Sequence, residues 1–188
     1  IRGAGLLGLF GVLAYGARVW DLGLENTVVQ GTQNSTGALA GENHASVAEC
    51  YSMGTVRGNG NVGGLIGVHG GSMSNCYTTG TVTGSFYVGG MIGANYGAVS
   101  NCYSSGAVSS ESDAGGLIGY SNYGSVLNCF WDVESSGLDT SKAGTGLTTA
   151  EMQETETYLN GGWDLLGEST NGTAETWQMP QPGGYPRL

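Results

Sequence analysis

Short runs in which small apolar and polar residues alternate recur along this chain at a nearly fixed spacing. Cys50-Tyr51-Ser52-Met53-Gly54-Thr55-Val56 returns as Cys76-Tyr77-Thr78-Thr79-Gly80-Thr81-Val82 and again as Cys102-Tyr103-Ser104-Ser105-Gly106-Ala107-Val108, each 26 residues on. Cys129-Phe130-Trp131 opens a further copy after 27. Alternation puts Cys50, Ser52, Gly54 and Val56 on one face and Tyr51, Met53, Thr55 and Arg57 on the other, the period of a strand. The small and apolar set is expected inside. A second phrase follows each first one: Val62-Gly63-Gly64-Leu65-Ile66-Gly67, then Val88 to Gly93, then Ala114 to Gly119. A third closes the unit, with Met73, Val99 and Val126 pointing inward and Asn75, Asn101 and Asn128 before the cysteines.

Upstream the pattern fades. Gly37 to Gly41 stands for the second phrase and Ala45 to Glu49 for the third, while Gly8 to Gly11 and Gly16 to Leu22 are earlier echoes. The extra residue before Cys129 belongs in a surface corner between Ser121 and Tyr123. A unit of three short strands cannot bury its own apolar face, but stacked copies can. The expected fold is all-β, a parallel β-solenoid of about five coils over residues 1–134. Coils about 4.8 Å apart give a body on the order of 24 Å long. Like then stacks on like: Leu65, Met91 and Leu117 in one ladder, Ile66, Ile92 and Ile118 in the next. The recurrent glycines either supply corners of positive φ or let layers approach closely.

Composition sharpens this picture. Glycine contributes 37 residues but proline only 3, which excludes collagen, and the interleaved Val, Ile, Leu, Tyr and Cys argue against a flexible linker. Fifteen acidic against five basic residues give a net charge of −10, a poor match to nucleic acid or an anionic membrane. No apolar run reaches the about 18 residues of a membrane span. There is no H-E-x-x-H, G-x-S-x-G or phosphate-binding loop, so no enzyme activity, catalytic residue or bound cofactor is expected. His44 and His69 fall at near-equivalent corners and read as an exposed pair. Glu111 and Asp113, near the extra corner residue, are the candidates for a surface calcium. Cys50, Cys76, Cys102 and Cys129 lack the paired spacing of a zinc site. They read as small buried hydrophobes in one column or as pairs, 50 with 76 and 102 with 129. The asparagines should stack, with amides bonded along the axis.

Residues 135–188 depart from the repeat. Thr148-x-x-Glu151 predicts a capping box opening a helix to about Leu159, ended by Gly161-Gly162. The aromatic load of this segment, with Trp131, Trp163 and Trp177, reads as a lid over the last coil. Its rival is a carbohydrate-binding or docking platform.

The phrase V-G-G-L-I-G followed by G-x-V-x-N-C-Y-x-x-G-x-V resembles the GLUG repeat of bacterial secreted and surface proteins. These include adhesin-like proteins and the non-catalytic part of immunoglobulin-cleaving metalloproteases. The resemblance is strong at Val62 to Gly67, Val88 to Gly93 and each Asn-Cys-Tyr; it departs at Glu49 and at Phe130. It implies an extracellular or cell-surface scaffold or adhesive module, with host or matrix glycans as candidate ligands. The apolar start, Ile1 to Phe10, predicts an uncovered end needing further domains of a longer protein or another copy bound head-to-tail.

Overall fold

The computed structural model describes residues 1–180 and 183–188. The chain winds as a parallel β-solenoid of about five coils, followed by a few short helices. Every ladder between its strands is parallel, and the register is the sequence repeat itself. Tyr51, Tyr77, Tyr103 and Phe130 stand in successive rungs. So do Ile66, Ile92 and Ile118. The faint upstream echoes fall into place: Phe10 pairs with Ala40 and Ala40 with Ile66, while Arg18 and Val19 pair with Ser46 and Val47.

Inward residues form a narrow core. Leu39, Leu65, Met91 and Leu117 run along its centre with Ile66, Ile92 and Ile118, and Met73, Val99 and the four cysteines close one side. A second column of valines, 29, 56, 62, 82, 88 and 108, fills another corner. Burying such a side chain is worth roughly 1.5–3 kcal/mol, and only the stacked array offers each one a full set of neighbours.

The corners are built differently from one of the two readings of the glycines. The left-handed residues that turn the chain before each cysteine rung are Asp21, Glu49, Asn75, Asn101 and Asn128, with φ between 51° and 55°. Asparagine and aspartate tolerate that conformation better than other side-chain-bearing residues. The repeat glycines serve close approach instead. A Cβ at Gly63, Gly89 or Gly115 would lie 2.0, 1.9 or 2.0 Å from the carbonyl oxygen of Ile66, Ile92 or Ile118. This explains why a Gly stands three residues before each Ile.

The C-terminal part also differs from a simple lid. The array gains one more rung than the repeat pattern predicts, because Thr145–Leu147 pairs with Phe130–Asp132. Residues 140–142 cover the last coil through Gly116 N–H to Thr140 O, Lys142 N–H to Ile118 O and the Ser141 hydroxyl. From Thr148 the described residues of the tail pack along the flank of the solenoid. The capping box forms as expected, but the helix breaks in two: α2 (Thr149–Met152) and α3 (Thr155–Asn160) follow the short α1 (Val133–Ser136). Among the described residues, no helix is long and apolar enough to cross a membrane.

Candidate functional site

Two of the repeated hydroxyls join elements of the array, while that of Ser104 in the next coil is buried without a partner among the described residues. The Ser52 hydroxyl donates to Gly64 O at 2.7 Å, and Thr78, its equivalent one coil on, donates to Gly90 O at 2.9 Å. Asn128 Nδ2 donates to Asn101 Oδ1 at 3.4 Å, an axial amide contact of that column. Cys50, Cys76, Cys102 and Cys129 are free, buried thiols in successive rungs. Each donates to the carbonyl two residues before it, at 3.1–3.2 Å. The Cys76 thiol and burial push Cys50 well above the usual thiol range, and burial does the same to Cys102. Cys50 and Cys102, held protonated in an apolar column, are poor nucleophiles.

His44 and His69 are not an exposed pair. His69 is wholly buried and stands in register with Asn43 and Asn95. Its Nδ1 accepts from Asn43 Nδ2 at 3.0 Å and its Nε2 faces Ala98 O at 3.2 Å, which fixes the proton on Nε2. Burial lowers its pKa to about 4, against a smaller opposing effect of the Ala98 carbonyl and with a small contribution from His44. His44 stays at the surface, stacked on Tyr15 and 3.7 Å from Glu42. Glu111 and Asp113 sit in a corner held by serine-to-backbone bonds. No group of three or more His, Cys, Asp or Glu side chains suited to a metal occurs among the described residues.

The tryptophan platform is overturned by burial. Trp163 and Trp177 are fully buried and Trp131 is 3% exposed, so no indole of the three presents a face to a sugar. Trp163 and Trp177 pack on a stack of tyrosines that the solenoid presents: Tyr51 on Tyr77 at 4.8 Å, Tyr77 on Tyr103 at 5.2 Å, with Tyr185 of the tail at 5.9 Å from Tyr103. Tyr77 and Tyr103, expected outside, are thereby covered. Tyr103 donates to Pro186 O at 2.8 Å, and Tyr185 donates to Asp132. Burial opposes charge on Asp132. Hydrogen bonds from Tyr185, the Ser135 amide, Thr149 and the Glu134 amide outweigh it and hold the carboxyl below its usual range.

One 26-residue unit of this array runs from Gly58 through the V-G-G-L-I-G strand pair to the next cysteine rung. Residues 58–83 match the family profile of the GLUG motif. The chain carries a GLUG repeat. Its neighbours above and below pair with this GLUG unit residue for residue. No curated protein and no solved structure matches the chain.

Sequence reasoning missed a second aromatic group, on the outer surface away from the tail. Phe86 meets Tyr87 edge-on at 5.5 Å, Tyr87 meets Tyr120 at 4.9 Å, and Tyr120 meets Tyr96 at 6.0 Å. The signal was present as a departure from the GLUG pattern. The register puts these rings where the preceding coil carries Gly60, Asn61, Gly70 and, for Tyr120, Ala94.

Proposed function

We propose that the chain is a non-enzymatic structural and adhesive module of an extracellular or cell-surface protein, built from GLUG repeats. The observation that supports this is the use of the repeated polar groups. The Ser52 and Thr78 hydroxyls inside the array and the four thiols donate to backbone carbonyls, so these repeated groups serve the fold. The repeat thus makes a stiff support, and variation among its outward residues makes a surface. Its neighbours in this reading are other domains of a longer surface protein or further copies of the chain. Two measurements test it. Beads coated with the chain should be retained on cell layers or extracellular matrix above beads carrying an unrelated β-solenoid. Brief protease treatment of intact producing cells should release its peptides. Peptides released only after lysis would refute the surface role, and equal retention would refute adhesion.

A further inference from the structure

We infer that the outer face formed by Phe86, Tyr87, Tyr96 and Tyr120 is a binding surface for an uncharged glycan chain. This deepens the adhesive reading above and rests on it. Three observations carry the assignment.

The rings form a continuous chain of contacts across two coils, and this chain interrupts the repeat instead of following it. Solenoid register explains why Tyr77 stacks on Tyr51, since like residues recur at like positions. It gives no reason for Tyr120 above Ala94 or Phe86 above Gly60.

Tyr87 has a φ of 52°, at a corner where the preceding coils place Ser35 and Asn61 in the same left-handed conformation. Asn61 adopts it with little penalty, but a bulky aromatic costs on the order of 1 kcal/mol there. Local strain held in place by the surrounding fold is characteristic of functional surfaces. The strain here turns a tyrosine outward beside Tyr120.

The hydroxyls are free. Tyr51, Tyr103, Tyr158 and Tyr185 each donate to a protein acceptor, whereas those of Tyr87, Tyr96 and Tyr120 make no such bond among the described residues. The surface therefore offers apolar ring faces for the C–H faces of pyranose rings and tyrosine hydroxyls for their hydroxyl groups. Phe86 is seated over Gly60, where a Cβ would lie 2.2 Å from its ring, so this end of the patch is positioned before any ligand arrives.

The chemistry of the occupant follows from charge and size. The ring chain carries no charge and the protein as a whole is at −10, which disfavours acidic polysaccharides. Tyr96 is 50% exposed and each of the other three rings is no more than about a third exposed. At about 200 Å² per aromatic side chain, they leave on the order of 200–300 Å² in water. That is far below the roughly 800 Å² per partner of a stable protein interface and suits a few sugar rings.

The test is affinity electrophoresis of the whole chain through gels containing a neutral polysaccharide (hydroxyethylcellulose, galactomannan or dextran) or an acidic one (polygalacturonate or hyaluronate). Retardation by at least one neutral polysaccharide is expected. Y96A/Y120A should weaken it about tenfold, as expected for losing two stacking partners, at an unchanged unfolding midpoint. Tyr15→Ala, an exposed aromatic at the other end of the array, should leave it unaltered. If the double variant unfolds early, Tyr96→Ser and Tyr120→Phe replace it; the first should weaken binding through the ring and the second through the hydroxyl. Retardation by no neutral polysaccharide, by acidic ones only, or equally for wild type and patch variants overturns the proposal. So does loss of retardation in Tyr15→Ala alone. Bead retention that survives Y96A/Y120A leaves the adhesive module standing and removes only this site.

Discussion

Replacing His69 by asparagine exchanges a titratable member of a buried column for the residue that already occupies the rungs on either side, Asn43 and Asn95. In the folded chain His69 must stay neutral. Its Nδ1 accepts from the Asn43 amide, so a proton there would set donor against donor, while Nε2 is committed to Ala98 O. The other titratable groups near it are His44, whose charge would repel a second one, and Glu42, paired with His44. The folded pKa of about 4 lies below the ordinary 6.5, so the unfolded chain binds more protons between these values. Stability is therefore full above pH 6.5 and falls as the pH drops towards 4. At roughly 1.4 kcal/mol per pH unit the loss is about 3 kcal/mol, a large part of a domain's margin. His69→Asn should abolish the slope in this window while costing little at neutral pH, since asparagine at this rung reaches the next coil as Asn43 does. Urea unfolding at half-unit pH steps from 7.5 to 4, followed by circular dichroism, measures both curves. Parallel curves for the two proteins would sink the argument.

Other consequences follow from packing and hydrogen bonding. Gly63→Ala places a methyl group 2.0 Å from a backbone oxygen and should cost about 3 kcal/mol or more. Gly167→Ala, with open space around it but a φ of 89°, should cost only about 1 kcal/mol by thermal denaturation. The four thiols should resist a soluble disulfide reagent in the native state and react fully in denaturant; rapid labelling of the native chain would contradict the buried column. Tyr185→Phe removes the hydroxyl that holds Asp132 ionised and should destabilise by about 1.5–3 kcal/mol at neutral pH. Because the Asp132 pKa is depressed in the fold, its contribution is present above the usual carboxylate value and is lost as the pH falls through the folded one. The variant should lose stability at a higher pH than wild type does, read from the acid limb of the same titration.

Much of the fold was legible because a solenoid writes its register into its sequence. The cysteine spacing named the rungs, and Ile66, Ile92 and Ile118 stack as their spacing requires. What escaped was decided by contacts between parts of the chain that share no repeat. The closing part of the chain contains no strand pattern that would announce Thr145–Leu147 as another rung, and nothing local tells Trp163 and Trp177 that their cover is the tyrosine stack beside them. His69 was misplaced by one residue: aligned with His44 by type, it aligns with Asn43 by pairing. The outer ring chain went unseen for the opposite reason. Attention to what recurs passes over Phe86, Tyr87 and Tyr120, whose meaning lies in not recurring.

The flanking tail also sets how the module answers to mechanical force. Tension entering at Leu188 meets the Gln178–Arg187 bridge and the Tyr103 bond to Pro186 before it can reach the final rung at Thr145–Leu147. Load is thus delivered sideways to the coil of Cys102, across stacked rings and the Tyr103 hydroxyl bond, and the terminal rung is spared being peeled away one hydrogen bond at a time. A solenoid tethered through this strap should yield at its flank first, with its stacked coils still closed.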